Sequence, residues 1–181
     1  MIQAPRARRD FTTESLSDIF VPIQNQMNEF ERVMFELLNS SVPLVKTVSE
    51  YILANGGKRL RPALTIVSAQ MAGFSGEAAY QLGSCIEFIH TASLLHDDVI
   101  DNASVRRGRP SANAQWGNHV SVLVGDFFYC RASQILTEHG DLKILKIVTD
   151  SILTLTEGEV LEIVTNANHT TSRDDYLKII K

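Results

Sequence analysis

The sequence predicts an all-α protein, on three observations. Its five prolines stand at 5, 22, 43, 62 and 110, so no backbone breaker of that kind occurs after Pro110. Glycine is sparse and falls mainly between segments whose apolar residues recur at helical spacing. No segment shows the alternation of β-branched residues that marks a strand.

Ser15 or Ser17 is the expected cap of a first helix running to about Asn39. Pro43 suits the first turn of a second helix, and Asn55-Gly56-Gly57 suits its left-handed stop. Pro62 opens a third helix, which ends near Gly73-Phe74-Ser75-Gly76. A fourth spans about Glu77 to Asp101 and is followed by a polar, Arg-rich loop over 102–110. Val120, Leu123, Val124, Phe127, Phe128, Ile135 and Leu136 keep helical spacing over roughly 118–138, and His139-Gly140-Asp141 breaks that helix. The next, about 142–164, is apolar on nearly every side and is therefore expected to be enclosed by other helices. Thr171-Ser172-Arg173-Asp174-Asp175 reads as the cap and acidic first turn of a last helix.

Composition narrows the class of function. The chain has 181 residues, 44% of them apolar and 21% charged, which fits one globular domain or part of a larger one. A disordered chain, a fibrous repeat and a disulfide scaffold are excluded. Seventeen Lys and Arg against 21 Asp and Glu give a charge of −4, contrary to the basic excess of a nucleic-acid binder. Cys85 and Cys130 share no metal-ligand spacing and read as reduced, buried thiols of a cytoplasmic protein. No run reaches the roughly 18 apolar residues of a transmembrane segment. Residues 1–14 are basic at the start without an apolar core behind, a solvated flexible tail rather than a secretory signal.

The most informative segment is His90-Thr91-Ala92-Ser93-Leu94-Leu95-His96-Asp97-Asp98-Val99-Ile100-Asp101. Asp97 and Asp101 are one helical turn apart and project from one face, with Asp98 beside them and His90 two turns earlier. Acids at the end of a helix oppose its dipole and require compensation. Hard oxygen ligands at this spacing suit Mg²⁺, which keeps several waters and takes other ligands from phosphate. Two basic clusters flank the acids: Gly56-Gly57-Lys58-Arg59-Leu60-Arg61-Pro62, just before a helix start, and Arg106-Arg107-Gly108-Arg109. Ordinary salt bridges would account for them, but the more specific reading is a site for two phosphorylated groups. Metal would hold one group at the aspartates, while Lys, Arg and His hold the other directly. A like-charge pair at about 4 Å costs roughly 4 kcal/mol at an effective dielectric of 20, so diphosphate facing bare carboxylates is repelled without bridging Mg²⁺.

The blocks GGKRLRP (56–62), IEFIHTASLLHDDVID (86–101), RRGRPSAN (106–113), WGNHVSVLVGDFFY (116–129) and EGEVLEI (157–163) resemble the trans-polyprenyl diphosphate synthases. Within that group they are most similar to the long-chain bacterial octaprenyl type. The resemblance runs from about residue 42 to the end, with five blocks in order and spacing. It implies an isoprenoid-synthase-type helical bundle around a central cavity, of which this chain carries the N-terminal portion. The second aspartate-rich motif of the family is absent from the sequence: Lys178 stands where Asp174-Asp175 would need a third acid. The chain by itself is accordingly expected to have little condensing activity.

Enzymes of this family join an allylic diphosphate, farnesyl or similar, to successive isopentenyl diphosphate units, head to tail. Mg²⁺ assists departure of the allylic diphosphate, the isopentenyl alkene attacks the resulting carbocation, and a proton is lost. By matching position, the resemblance implies Asp97 and Asp101 as Mg²⁺ ligands with Asp98 in support. It implies Lys58, Arg61, His90 and Arg107 as the isopentenyl diphosphate site and Arg106 as a contact to the allylic diphosphate. Ala92 and Ser93, one turn below Asp97, are small and would leave room for a long product such as an octaprenyl chain for quinones; Ser93 lies on the Asp97 face, while Ala92 rests on the resemblance. His96 and Trp116 are read as structural, and Glu157-Gly158-Glu159 is given no role. A homodimer is implied. Two alternatives compete: a class I terpene cyclase, which needs no second diphosphate pocket, and a non-catalytic regulatory subunit, which needs no intact aspartates.

Overall fold

A computed structural model of the chain describes residues 20–54, 57–167 and 171–180. The tail expected at 1–14, the Ser15 and Ser17 caps and the Asn55-Gly56 stop lie outside these residues. Among the described residues the fold is all-α apart from one short hairpin. After a 3-10 turn at Val21–Ile23 come α1 (Gln24–Leu37), α2 (Pro43–Ala54), α3 (Leu60–Met71) and α4 (Glu77–Ile100). Strands β1 (Val105–Arg106) and β2 (Arg109–Pro110) precede α5 (Ala112–Trp116), α6 (Asn118–His139), α7 (Leu142–Ala167) and α8 (Arg173–Ile179). The chain divides into two compact units, one up to Ile135 and one from Leu136.

The first unit is organised around α4. Met27, Phe30, Val33 and Met34 recur every three or four residues on α1 and are all buried, giving that helix one apolar face. Gly83 of α4 is the meeting point with α1 and α3: a Cβ there would lie 3.4 Å from the Pro62 Cβ and 3.6 Å from Phe30 Cδ2. A methyl group at 83 would make ordinary contact there, while a longer side chain would push these helices apart. On its other side α4 packs against α6. Phe88 and Phe128, both fully buried, meet edge to face at 5.6 Å. Ser121 Oγ donates to the Leu95 carbonyl at 3.2 Å, and Cys85 Sγ to the Ala132 carbonyl at 3.6 Å.

His96 fixes the same pair of helices and is structural, as expected. Its Nε2 lies 3.3 Å from the Val122 carbonyl and 3.4 Å from Asp126 Oδ1. The ring occupies the space above Gly125, where a Cβ would overlap it. Trp116 is also a packing residue, meeting Tyr51 edge to face at 4.9 Å. The Tyr51 hydroxyl donates to the Pro110 carbonyl at 2.8 Å and so ties α2 to the hairpin.

In the second unit, Asp141 Oδ1 accepts from the Lys143 and Ile144 amides at 2.7 and 3.2 Å and caps α7. Ser172 and Asp175 form a reciprocal capping box on α8. The acidic first turn foreseen for this segment is therefore present.

Three expectations need correction. The Arg-rich loop at 102–110 contains a two-residue antiparallel ladder, Val105 with Pro110 and Arg106 with Arg109. Strands this short carry no periodic pattern, and the five-residue helix α5 was likewise invisible. Cys85 is buried but Cys130 is exposed, because it lies on the side of α6 away from α4. Most importantly, α7 is not enclosed: Leu142, Ile147, Leu153, Val160 and Ile163 are all more than half exposed, and Val148 alone among its described side chains is buried. Its partner in the second unit, α8, has only seven residues and covers little of it. Glu157 and Glu159 are exposed on the same helix.

Candidate active site

The last turn of α4 and the hairpin behind it build the acidic part. Asp101 is the C-cap of α4, and its amide donates to the Asp97 carbonyl at 2.8 Å. The Asp98 carbonyl accepts twice, from the Ala103 amide at 2.9 Å and from Asn113 Nδ2 at 3.0 Å, so the helix end is well satisfied. The compensation that the acids require comes from Arg106. Its Nε and Nη2 both lie 2.7 Å from Asp98 Oδ1. The Asp98 side chain is only 3% exposed, against 35% for Arg106.

Asp97 is half-buried and Asp101 exposed, which leaves these two carboxylates turned toward solvent on one face. Burial, then the neighbouring charge of Asp101, pushes the Asp97 carboxyl above the ordinary carboxylate range, and Asp98 adds to this while Arg106 opposes it. Among the described residues no three His, Cys, Asp or Glu side chains gather into a self-sufficient metal site. Two free carboxylates one turn apart, repelling each other, fit a hard divalent ion that fills its sphere with water and phosphate oxygens. They do not fit an ion that needs a closed protein cage.

The hairpin separates its two arginines. Arg107 and Gly108 both have positive φ, 52° and 77°, giving the primed two-residue turn that matches strand twist. Arg106, the last residue of β1, reaches Asp98, while Arg107, the first residue of the turn, reaches the segment before α3. There, a Cβ on Gly57 would come within 3.3 Å of Arg107 Nη1 and 3.6 Å of Glu87 Oε1. A side chain at 57 would make the Arg107 guanidinium give way by a few tenths of an ångström.

A cleft of about 370 Å³ results, lined by Gly57, Lys58, Arg59, Leu60, Arg61, Glu87, His90 and Arg107. Lys58, Arg61, His90 and Arg107, the four residues singled out for one diphosphate, are therefore brought together. Lys58 and Arg61 are exposed at the start of α3, whose first amides no side chain caps. Burial lowers the pKa of His90, with Arg61 the next cause and Arg107 and Arg106 adding to it; Glu87 acts in the opposite direction. Arg106 is not part of this cleft but lines a smaller neighbouring cavity with Asp98. Asp97 and Asp101 line neither. Ala92 is buried at 1% exposure and Ser93 is half-buried, its hydroxyl donating to the His90 carbonyl at 2.9 Å.

Sequence reasoning missed the pair that frames the cleft, Arg59 and Glu87. Arg59 Nη1 lies 2.8 Å from Glu87 Oε1 and both side chains are nearly buried. The available signal was that Glu87 precedes His90 by three residues and shares its face.

The sequence model of the polyprenyl synthetase family matches residues 42–181. Octaprenyl diphosphate synthase of Escherichia coli (strain K12) is 43% identical over 81% of this chain and 46% of its own length. Octaprenyl diphosphate synthase of Haemophilus influenzae is 42% identical over 92% of this chain and 50% of its own. A geranyl-diphosphate-specific all-trans-nonaprenyl-diphosphate synthase of Rhodobacter capsulatus is 38% identical over 90% of this chain. Among solved structures, a decaprenyl diphosphate synthase from Rhodobacter capsulatus superposes with a TM-score of 0.86 at 37% identity, covering 92% of this chain and 51% of that one. A polyprenyl synthase from Caulobacter crescentus, complexed with calcium and isoprenyl diphosphate, gives 0.87 at 36% identity, covering 93% and 52%. The chain spans about half the length of the relatives it matches.

Proposed function

Because the chain belongs to the polyprenyl synthetase family, we propose that it forms part of a trans-polyprenyl diphosphate synthase. The reaction is the condensation of an allylic diphosphate with successive isopentenyl diphosphate units. One observation carries this reading: Lys58, Arg61, His90 and Arg107 share a cleft that is distinct from the face bearing Asp97 and Asp101. Two diphosphates with different counter-charges need such a division.

In this reading the basic cleft binds isopentenyl diphosphate through charge-assisted hydrogen bonds from Lys58, Arg61 and Arg107. His90, whose pKa is held below its ordinary value by burial and then by Arg61, completes the set. The allylic diphosphate lies at the aspartate face. Asp97 and Asp101 are the residues that would hold Mg²⁺ there, and bound Mg²⁺ supplies Lewis-acid stabilisation of the departing diphosphate. Asp98 acts indirectly, by holding Arg106, whose remaining guanidinium edge is available to the allylic diphosphate. Ala92 and Ser93 leave the turn below Asp97 narrow in side-chain bulk, which supports a long product. The 42–43% identity to octaprenyl diphosphate synthases supports a chain of about that length.

The chain spans about half the length of the synthases it matches, and on this reading residues 1–181 alone have little condensing activity. The complete enzyme works in the cytoplasm as a homodimer. No described helix is long and apolar enough to cross a membrane. The test is diphosphate release by the complete enzyme from farnesyl diphosphate with Mg²⁺, with and without isopentenyl diphosphate. Release that depends on isopentenyl diphosphate supports a synthase. Release without it supports a cyclase, and no release in either case supports a non-catalytic subunit.

A further inference from the structure

The 58–61 segment offers three cations, yet only Lys58 and Arg61 are exposed. Arg59 turns inward from a left-handed backbone, φ 47° and ψ 32°, a conformation that a residue with a Cβ keeps only when its surroundings hold it. The holding groups come from three helices. Nη1 donates to Glu87 Oε1 of α4 at 2.8 Å, Nη2 to the Leu53 carbonyl of α2 at 3.1 Å, and Nε lies 3.5 Å from Glu31 Oε1 of α1. Glu31 is half exposed, whereas the Glu87 side chain is 6% exposed. A buried carboxylate needs a charged partner, so Glu87 and Arg59 fix one another. The Glu87 carboxylate also reaches the spot beneath Gly57 where the Arg107 guanidinium lies.

Glu87, His90, Arg59 and Arg107 form the wall shared by the basic cleft and the smaller cavity beside it. Within that wall Glu87 is the acid among cations. Its removal would leave Arg59 free to turn outward and compete with Lys58 and Arg61 for the cleft.

We propose that Glu87 is the positioning residue of the basic cleft: by holding Arg59 inward it presents Lys58 and Arg61, with His90 and Arg107, to isopentenyl diphosphate and not to the allylic substrate. The proposal rests on the assignment of this cleft to isopentenyl diphosphate. Its consequence is selective, because Glu87 bonds Arg59 on the side of the basic cleft, whereas Arg106 of the allylic side is held by Asp98.

Steady-state kinetics of the complete enzyme carrying Glu87→Gln tests it, with farnesyl diphosphate, isopentenyl diphosphate and Mg²⁺. The expected result is a KM for isopentenyl diphosphate raised roughly tenfold or more, as befits loss of a charged hydrogen bond, with kcat and the allylic KM within about twofold of wild type. The pair Arg59→Gln with Glu87→Gln should be no worse than either alone, since the two act as one unit. A second readout is the acid limb of kcat/KM for isopentenyl diphosphate. His90 faces Arg61, Arg106 and Arg107 as well as Glu87, and losing the one group that raises its pKa moves that limb to lower pH. Where Glu87→Gln does not fold, Glu87→Asp replaces it, keeping the charge but withdrawing it from Arg59, with the same selective rise expected. Equal rises in both KM values, or an unchanged isopentenyl KM, overturn the proposal. A wild-type enzyme that does not condense the two substrates overturns the assignment of the cleft instead.

Discussion

Asp98 shows how one residue of a motif is spent on structure. Of the three acids in the segment it is the buried one, and Arg106 holds it from the hairpin. Replacing Arg106 by Gln leaves a buried carboxylate without its cation, and because Arg106 is partly exposed the expected loss is about 1–3 kcal/mol. Chemical denaturation of the chain and of Arg106→Gln measures it. His90 gives a prediction in pH. Its folded pKa is held below the ordinary 6.5, chiefly by burial and then by Arg61, so the folded state takes up a proton later than the unfolded chain does. The stability linked to neutral His90 is complete above the ordinary value and is lost as pH falls through the lowered one. Melting between about pH 7.5 and 5 should therefore fall more steeply for wild type than for His90→Asn. Burial pushes the Cys85 thiol up to about 12, while Cys130 is exposed. Alkylation near pH 8 followed by mass analysis should accordingly modify Cys130 and spare Cys85 in the folded chain.

At the level of elements, α4 holds the site because it is gripped on two sides. Gly83 admits α1 and α3, and the space over Gly125 admits the His96 ring. Gly125→Ala must displace that ring and its hydrogen bond to the Val122 carbonyl, a loss of about 1 kcal/mol that offsets the roughly 1 kcal/mol by which Ala favours a helix over Gly. A melting temperature clearly raised by Gly125→Ala would contradict this packing. Most helices were legible in the sequence because Pro43, Pro62, Gly73, Gly140 and Ser172 are local signals that act at the residue where they stand. The long α4 was legible from its boundaries. The hairpin was not, since its two-residue strands are held by the turn at Arg107-Gly108 and not by any alternation. For the site, spacing put Asp97 and Asp101 on one face and His90 two turns behind. It was silent on the inward turn of Arg59, because a left-handed arginine is chosen by Glu87 and Leu53, which lie far from it or behind it in the fold.

At the scale of the molecule, two features define the account. One is the uncovered apolar surface of α7, which sequence reasoning expected to be enclosed and which the second unit leaves bare. The other is the arrangement on α4 of an acidic face and a basic cleft, each suited to a diphosphate in a different way. The small residues at 92 and 93 extend the second feature to product length: in the complete enzyme Ala92→Tyr, or Ser93→Phe on the more exposed neighbouring position, should shorten the polyprenyl product, read by mass spectrometry. An unchanged distribution in both variants would remove these positions from any gating role. The most direct measurement of the central claim is mass analysis of the products that the complete enzyme makes from farnesyl diphosphate, isopentenyl diphosphate and Mg²⁺, beside those of Asp97→Asn with Asp101→Asn. A long-chain polyprenyl diphosphate is expected from the wild type and almost none from the double variant; equal product from both would show that these two acids do not hold the metal.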